Sequence, residues 1–250
     1  MTQLKRVVVT GLGALTPIGN NVSEYWANLL CGKSGAAPIT HFDASNFKTR
    51  FACEVKNFKV TDHIDRKEAR KQDPYTQYAI VATKEAMQDS NINLDAIDLN
   101  RAGVIWGSGI GGIKTFYDEV SAFAKSDGNP RFNPFFIPKM IADIAPGLIS
   151  IKYGFRGPNF ATVSACASAS NAMIDSLNYI RLGYADIIVT GGSEAESNRA
   201  FDASEVDVDY IPDPPESFYS DLAPDALSKE DNEEEDDEEE EEKEEDIREE

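Results

Sequence analysis

Apolar residues over positions 1 to 195 follow two alternating patterns, short β-branched runs and longer segments at helical spacing. The runs predict four strands and one shorter strand, over 6–10, 102–106, 160–163 and 185–190 and near 51–55. The helical spacing predicts helices over 21–30, 73–90, 113–125 and 167–182. Strands that alternate with helices of this length are typical of an α/β fold, with a mostly parallel sheet covered by helices on both faces.

Turn-forming residues refine this prediction at four places. The run over 6–10, closed by Gly11 and Gly13, is predicted to be a buried strand that enters a tight turn. Asp73 and Pro74 are a favourable cap and first residue for the helix that follows. Prolines within 127–138 forbid regular pairing and predict a loop there. The segment 141–153 is predicted to be helical in two pieces about Pro146, its proline.

After Ala195 the composition changes abruptly. Residues 196–250 hold 26 acidic and 4 basic residues, a local charge of -22, while residues 1–195 carry about +2. Prolines and acidic residues mark 196–229 as a linker, and 230–250 is almost entirely Glu and Asp. Such a run cannot bury enough apolar surface to offset its ordering entropy, so 230–250 is predicted to be a disordered acidic tail.

Composition excludes several classes of protein. The first residues show no secretory signal, and no apolar run approaches the roughly 20 residues that a membrane helix needs. Three cysteines, Cys31, Cys53 and Cys166, are too few and too odd in number for a disulfide framework, which favours a reducing compartment. We find no basic patch of the kind that binds nucleic acid, and the acidic tail would repel phosphates.

The sharpest local motif is Ser164-Ala-Cys-Ala-Ser-Ala-Ser170, which lies between a predicted strand and a predicted helix. A cysteine in such a turn exposes its sulfur at the positive end of the helix, where a thiolate is stabilised. The small neighbours would also let backbone N–H groups approach an oxyanion, as acyl transfer requires. The alternative is that Cys166 is a small, buried and inert residue, as most free cysteines are.

Two glycine clusters raise the alternative of a dinucleotide site. The cluster at Gly11 lacks the third glycine, whereas Gly107–Gly112 fits G-x-G-x-x-G between a strand and a helix. Asp127 stands about twenty residues further on, but it lies in a loop and not at the end of a second strand. His41 and His63 have no ligand-spaced partner, so we predict no metal site and no cofactor.

Six motifs, in order over residues 4–195, resemble those of β-ketoacyl-[acyl carrier protein] synthases, most closely the type II elongating enzymes of fatty acid synthesis. They are Arg6-Val-Val-Val-Thr-Gly-Leu-Gly-Ala-Leu-Thr-Pro-Ile-Gly19, Trp106-Gly-Ser-Gly-Ile-Gly-Gly112, Asn133-Pro-Phe-Phe136, Gly157-Pro-Asn159, Ser164-Ala-Cys-Ala-Ser168 and Gly191-Gly-Ser-Glu-Ala195. The resemblance implies a thiolase-like fold and decarboxylative Claisen condensation. It also accounts for the Gly107 cluster as close packing beside an acyl pocket, without a nucleotide.

The resemblance also assigns roles by position. Cys166 is similar to the nucleophile that accepts an acyl chain from an acyl carrier protein, and its backbone N–H to one oxyanion donor. Ile110 resembles a residue of the acyl pocket, and Phe135 resembles a residue that lines the pocket from across a homodimer. Family membership would place the protein in the cytoplasm or in an organelle that makes fatty acids.

The resemblance ends at residue 195. Family members continue through a second, similar half that supplies two histidines, a lysine and the second oxyanion donor, and neither His41 nor His63 matches those histidines. We therefore expect a homodimer, or an association with a chain that supplies this half, and expect Cys166 to accept an acyl group that it cannot condense alone. The alternative is a non-catalytic ketosynthase scaffold whose acidic tail binds a partner protein.

Overall fold

The computed structural model describes residues 4–128 and 131–195, and the predicted linker and acidic tail lie outside the described residues. Its centre is a parallel sheet of three strands, β3 (Ala102–Gly107), β4 (Asn159–Thr162) and β5 (Ile187–Gly192). They lie in the order β4-β3-β5. All six residues of β3 are buried, as an apolar run between two parallel neighbours requires. The predicted parallel sheet is confirmed, and two further strands, β1 (Ala37–Pro38) and β2 (Phe51–Ala52), form an antiparallel pair.

The described residues form seven α-helices. They are α1 (Val22–Leu30), α2 (Arg66–Ala69), α3 (Pro74–Asp89), α4 (Ile113–Ala124), α5 (Phe136–Met140), α6 (Ile144–Tyr153) and α7 (Ser168–Arg181). Helices α1, α3, α4 and α7 confirm the four helices that the apolar spacing predicts, and Asp73 caps α3 as expected. Among the described residues, none of the helices combines the length and the apolar character needed to cross a membrane.

Helices cover both faces of the sheet. Alternate β3 residues Val104 and Trp106 join a buried cluster with Tyr75 of α3 and Ile149 of α6. On the opposite face, a Cβ atom on Gly107 would lie 2.4 Å from the backbone of Ser168, so α7 packs directly on the strand. This close approach brings the start of α7 to the carboxyl end of β3.

The predicted buried strand over 6–10 is wrong. Val8 and Val9 are 58% and 79% exposed, and no backbone hydrogen bond joins 4–10 to another described segment. The chain that follows is instead tied to α3 by side chains, since the Leu12 N–H donates to Asp89 at 2.8 Å. A β-branched run favours extended backbone, but a strand also needs a neighbour that completes its hydrogen bonds.

Three other predictions need correction. The predicted loop over 127–138 contains the first residues of α5, which begins at Phe136. The segment 141–153 holds one helix and not two pieces, because Pro146 falls in the first turn of α6, where its missing N–H would have no helical acceptor. The strand predicted near 51–55 is limited to β2, which is two residues long.

Candidate functional site

Cys166 lies on a strained turn between β4 and α7. A 3₁₀ turn over Ala165–Ala167 directly precedes α7, and Ala165 has a φ of 50°, in the left-handed region that residues with a side chain rarely adopt. Cys166 is exposed. The interpretation of this cysteine as a buried residue is therefore wrong, and Cys166 lies exposed just before a 14-residue helix.

Short polar side chains hold this turn in place. The Ser168 hydroxyl accepts from the Ser164 N–H at 2.9 Å and donates to the Ala165 carbonyl at 2.7 Å. The Asn171 amide donates to the Ser164 hydroxyl at 2.6 Å, and the Thr162 hydroxyl donates to the Ser168 carbonyl at 2.8 Å. These four bonds fix the backbone on both sides of Cys166, which accounts for the serines around it.

The turn can support chemistry at a thiolate. The first N–H groups of a helix have no acceptor within the helix and carry a partial positive charge. Cys166 lies two residues before the start of α7, so a negative charge on its sulfur, or on an oxygen bound nearby, lies at this end of the helix. The residues on either side of Cys166 in the sequence are small, so their side chains add little bulk beside the thiol.

The glycine loop over Gly107–Gly112 packs between this turn and α5. A Cβ atom on Gly109 would lie 3.5 Å from the Ala165 Cα atom, and one on Gly112 would lie 2.1 Å from the Lys139 carbonyl oxygen. Gly111 has a φ of 74°, and a Cβ atom on it would lie 2.7 Å from the Met140 carbonyl oxygen. Close packing against protein backbone thus accounts for these glycines without a dinucleotide.

Two carboxylates from distant parts of the chain hold the loop and the start of α4, which follows it. Glu194 accepts from the Gly109 N–H at 2.6 Å, and the fully buried Asp73 accepts from the Thr115 N–H at 3.0 Å and its hydroxyl at 2.6 Å. Desolvation raises the pKa of both carboxyl groups, although their hydrogen bonds oppose that rise. Sequence reasoning missed both contacts, which join residues 85 and 42 positions apart and leave no local pattern.

The two predicted pocket residues lie on the glycine loop and at the start of α5. Ile110 is 53% exposed and lies on the glycine loop, directly after the residue that faces Ala165. Phe135 is 41% exposed and precedes α5 as its cap residue, and the last residues of α5 meet the other end of the same loop. Cys166, Ile110 and Phe135 therefore belong to three segments that pack in order, from turn to loop to α5.

The remaining candidates that the sequence suggests lie elsewhere, in the β1 to α2 region and after α4. His63 stacks on Phe58 with ring centroids 5.4 Å apart, and the nearest His41 ring nitrogen is 4.0 Å from Glu54. Asp127 follows α4 in a turn and not at the end of a strand. Within residues 4–128 and 131–195, no group of His, Cys, Asp and Glu could hold a metal ion.

The structure also has a basic surface beside Phe135, which the sequence analysis did not predict. Arg66, Lys67, Arg70 and Lys71 are all exposed along α2 and the turn after it. The Lys71 ammonium group lies 5.8 Å from the centroid of the Phe135 ring. We call these four residues the α2 basic surface. The signal was present in the sequence as four basic residues within six positions, and the near-neutral charge of the whole domain concealed it.

The parallel sheet and its helices define an α/β protein. The exposed Cys166 on a strained strand-to-helix turn is its candidate nucleophile. The family model of the beta-ketoacyl synthase N-terminal domain matches residues 4–205. The chain therefore belongs to the beta-ketoacyl synthase family, as the motifs predict.

Relatives and solved structures agree with this assignment. The chain is 47% identical over 196 residues to 3-oxoacyl-[acyl-carrier-protein] synthase 2 of Staphylococcus aureus (strain COL), and 45% identical over 191 residues to the Synechocystis protein of the same name. These matches take in 78% and 76% of this chain but 47% and 46% of the relatives. The chain thus spans about half the length of the curated relatives that it matches.

Two ketosynthase structures share the fold. The ishigamide ketosynthase/chain length factor matches with a TM-score of 0.72 and 29% identity, over 79% of this chain and 49% of that chain. A type II PKS ketosynthase, solved with its acyl-carrier protein and bound to the hexaketide, matches with a TM-score of 0.68 and 26% identity, over 80% and 53%. The described domain is therefore an α/β domain of the thiolase-like class.

Proposed function

We propose that this chain accepts an acyl group from a thioester onto Cys166, as the first step of a β-ketoacyl synthase reaction in fatty acid synthesis. The exposed thiol on the strained turn before α7 carries this proposal. The Cys166 thiolate attacks the thioester carbonyl and forms a new carbon–sulfur bond. The backbone N–H of Cys166 stabilises the oxyanion, and the carrier thiolate leaves and takes up the proton that Cys166 lost.

The acyl chain is proposed to lie beside Ile110 and Phe135. Both side chains are large, apolar and exposed, Ile110 on the loop that packs against the Cys166 turn and Phe135 at the start of α5. Apolar surface of this kind binds a saturated chain because contact removes both from water. Phe135 would meet the acyl chain of a second copy, as the family resemblance implies.

Intact-mass measurement of the full chain with a decanoyl thioester tests acyl transfer. We expect a mass increase equal to one decanoyl group, together with release of one equivalent of carrier thiol. An unmodified mass after the chain is incubated with excess thioester would reject the transfer function. The same sample, treated with hydroxylamine, should lose the added mass because a thioester is cleaved by that reagent.

An acyl carrier protein is the proposed donor, and the α2 basic surface is its proposed docking site. This surface borders Phe135, so an acidic partner bound there would stand beside the proposed pocket. Opposite charges on two partners speed association, and this effect weakens with salt. The solved type II PKS ketosynthase with its acyl-carrier protein supports a carrier as partner.

Charge reversal of Lys67→Glu with Arg70→Glu tests this docking surface. We expect transfer from an acyl carrier protein to slow by roughly tenfold at low salt, because a steered on-rate depends on these charges. Transfer from a small thioester such as decanoyl-N-acetylcysteamine should stay within about twofold, since it needs no docking. Lys48→Glu with Lys56→Glu is the matched control, and equal slowing by both pairs would reject the site.

We propose that condensation needs groups from a further chain or a further part of the protein.

We also propose that the chain pairs with a second copy. Within the described sheet, β4 is an edge strand, and a cavity of about 430 Å³ lies beside it. Val163, just after this strand, is 63% exposed. Edge strands with apolar neighbours favour pairing with another chain.

Pairing is tested by native mass spectrometry over a range of concentrations. The wild-type chain is expected to form dimers, and Val163→Glu is expected to shift them to monomers, because a charge would be buried at the edge. Ile151→Glu, at a position 78% exposed on α6, serves as the control. A wild-type chain that stays monomeric at every concentration would contradict this proposal.

The second candidate function is a non-catalytic scaffold whose acidic segment binds a basic partner. The charge of -22 over residues 196–250 favours it. Removal of these residues should then abolish binding of a basic partner at low salt, while acyl transfer is absent from the full chain.

A further inference from the structure

The glycine loop holds its N–H groups in an unusual arrangement. The N–H groups of Gly109 and Ile110 both donate to the Glu194 carboxylate, the first at 2.6 Å. The next one, of Gly111, donates at 2.9 Å to the Ser108 hydroxyl, which lies 3.4 Å from the same carboxylate. Two consecutive N–H groups of the loop thus bind one carboxylate directly, and the third is joined to it through the Ser108 hydroxyl.

Successive N–H groups that point to one place form an anion-binding concavity in proteins. Here the anion belongs to the chain itself, two residues after the end of β5. Glu194 can reach the loop because β5 and β3 are parallel neighbours, and Gly192 pairs with Gly107 where both strands end. The carboxylate therefore ties the loop to the sheet at the point where Ile110 emerges.

The loop has little else to fix its central residues. Gly109 and Ile110 are exposed or half-buried, and Gly109 has no side chain to pack. Its near neighbours at the Cβ position are the Glu194 carboxylate at 2.9 Å and Ala165 at 3.5 Å. Glu194 and the turn that carries Cys166 thus both approach the loop at Gly109.

We propose that Glu194 is a positioning residue, whose carboxylate gathers the N–H groups of Gly109 and Ile110 and so fixes the Ile110 side chain beside the Cys166 turn. The inference rests on the proposed function, in which Ile110 borders the acyl chain. Glu194 would act on chain-length discrimination through Ile110 and would not touch the thioester.

Glu194→Gln removes the charge with almost no change in size. A matched control is Glu85→Gln, because the Glu85 carboxylate also accepts from two backbone N–H groups, those of Ala14 and Val22, each at 2.9 Å. Hydrogen exchange of the full chain should then accelerate at Gly109 and Ile110 by roughly tenfold in Glu194→Gln, since charge-assisted bonds are stronger than neutral ones. In Glu85→Gln the faster exchange should appear at Ala14 and Val22 instead.

Chain-length discrimination is measured by alkylation of Cys166 with N-octyl and N-methyl iodoacetamide, in which the thiolate displaces iodide and needs no acyl transfer. We expect the ratio of the two rates to change by about fivefold or more in Glu194→Gln and to stay unchanged in Glu85→Gln. Unchanged exchange at Gly109 and Ile110 would overturn the proposal, and so would faster exchange with an unchanged ratio. If the wild type fails to accept an acyl group from a thioester, the proposed function is rejected. The hydrogen-exchange and alkylation measurements would still test the role of Glu194.

Discussion

Replacement of Cys166 by serine is expected to abolish acyl uptake. The residues next to Cys166 in the sequence are alanines and serines, and none of these side chains is a base that could activate a serine hydroxyl. Because the thiolate is the reactive form and a hydroxyl is far less acidic, the rate should fall by about a thousandfold or more. Intact-mass kinetics with a decanoyl thioester measure this directly.

The chain supplies its own controls for this variant. Cys31 and Cys53 are also exposed, so each could react without any special environment. Cys31→Ser and Cys53→Ser should leave the rate within about twofold, because neither lies at the turn before α7. Uptake that persists in Cys166→Ser but disappears in one of the other two would assign the reaction to a different cysteine.

Gly107→Ala is expected to damage both the fold and the site. A Cβ atom on Gly107 would lie 2.4 Å from the Ser168 carbonyl carbon and 2.5 Å from the Ala169 nitrogen, both of them backbone atoms at the start of α7. Neither can move aside without shifting the helix that fixes the Cys166 turn. We expect a loss of about 3 kcal/mol or more in the free energy of unfolding, from a total of about 5 to 15.

Gly147→Ala is the matched control, with an effect of opposite sign. Gly147 lies within α6, and a Cβ atom there would have no neighbour within 4 Å. Alanine should raise the free energy of unfolding by about 0.5 to 1 kcal/mol, because it restricts the unfolded chain and favours the helix. Urea denaturation of both variants measures the two effects, and a stable, active Gly107→Ala would be incompatible with the packing of α7 on β3.

Much of the fold could be predicted because its signals are local. The six-residue apolar run of β3 and the apolar spacing of α3 each fix one element within a few positions. The site cysteine was also locatable, since small residues between a strand and a helix indicate an exposed turn. These features depend on neighbours in the sequence, which one chain displays directly.

The remainder depends on contacts between distant residues. The run over 6–10 has the composition of a strand, but whether it becomes one depends on a hydrogen-bonding neighbour elsewhere. Glu194 in the glycine loop and Asp73 at the start of α4 are set by the arrangement of the sheet and helices. A single sequence carries no pattern that joins residues 85 positions apart.

Acyl transfer to this chain, as proposed, takes place at Cys166 and at no other cysteine, so the position of the adduct is decisive. The full wild-type chain is incubated with a decanoyl thioester, digested at low pH and studied by peptide mass mapping. We expect a decanoyl group on the peptide that contains Cys166, with the peptides of Cys31 and Cys53 unmodified. Equal modification of all three cysteines, or modification of Cys31 or Cys53 alone, would show that Cys166 is not the specific acyl acceptor.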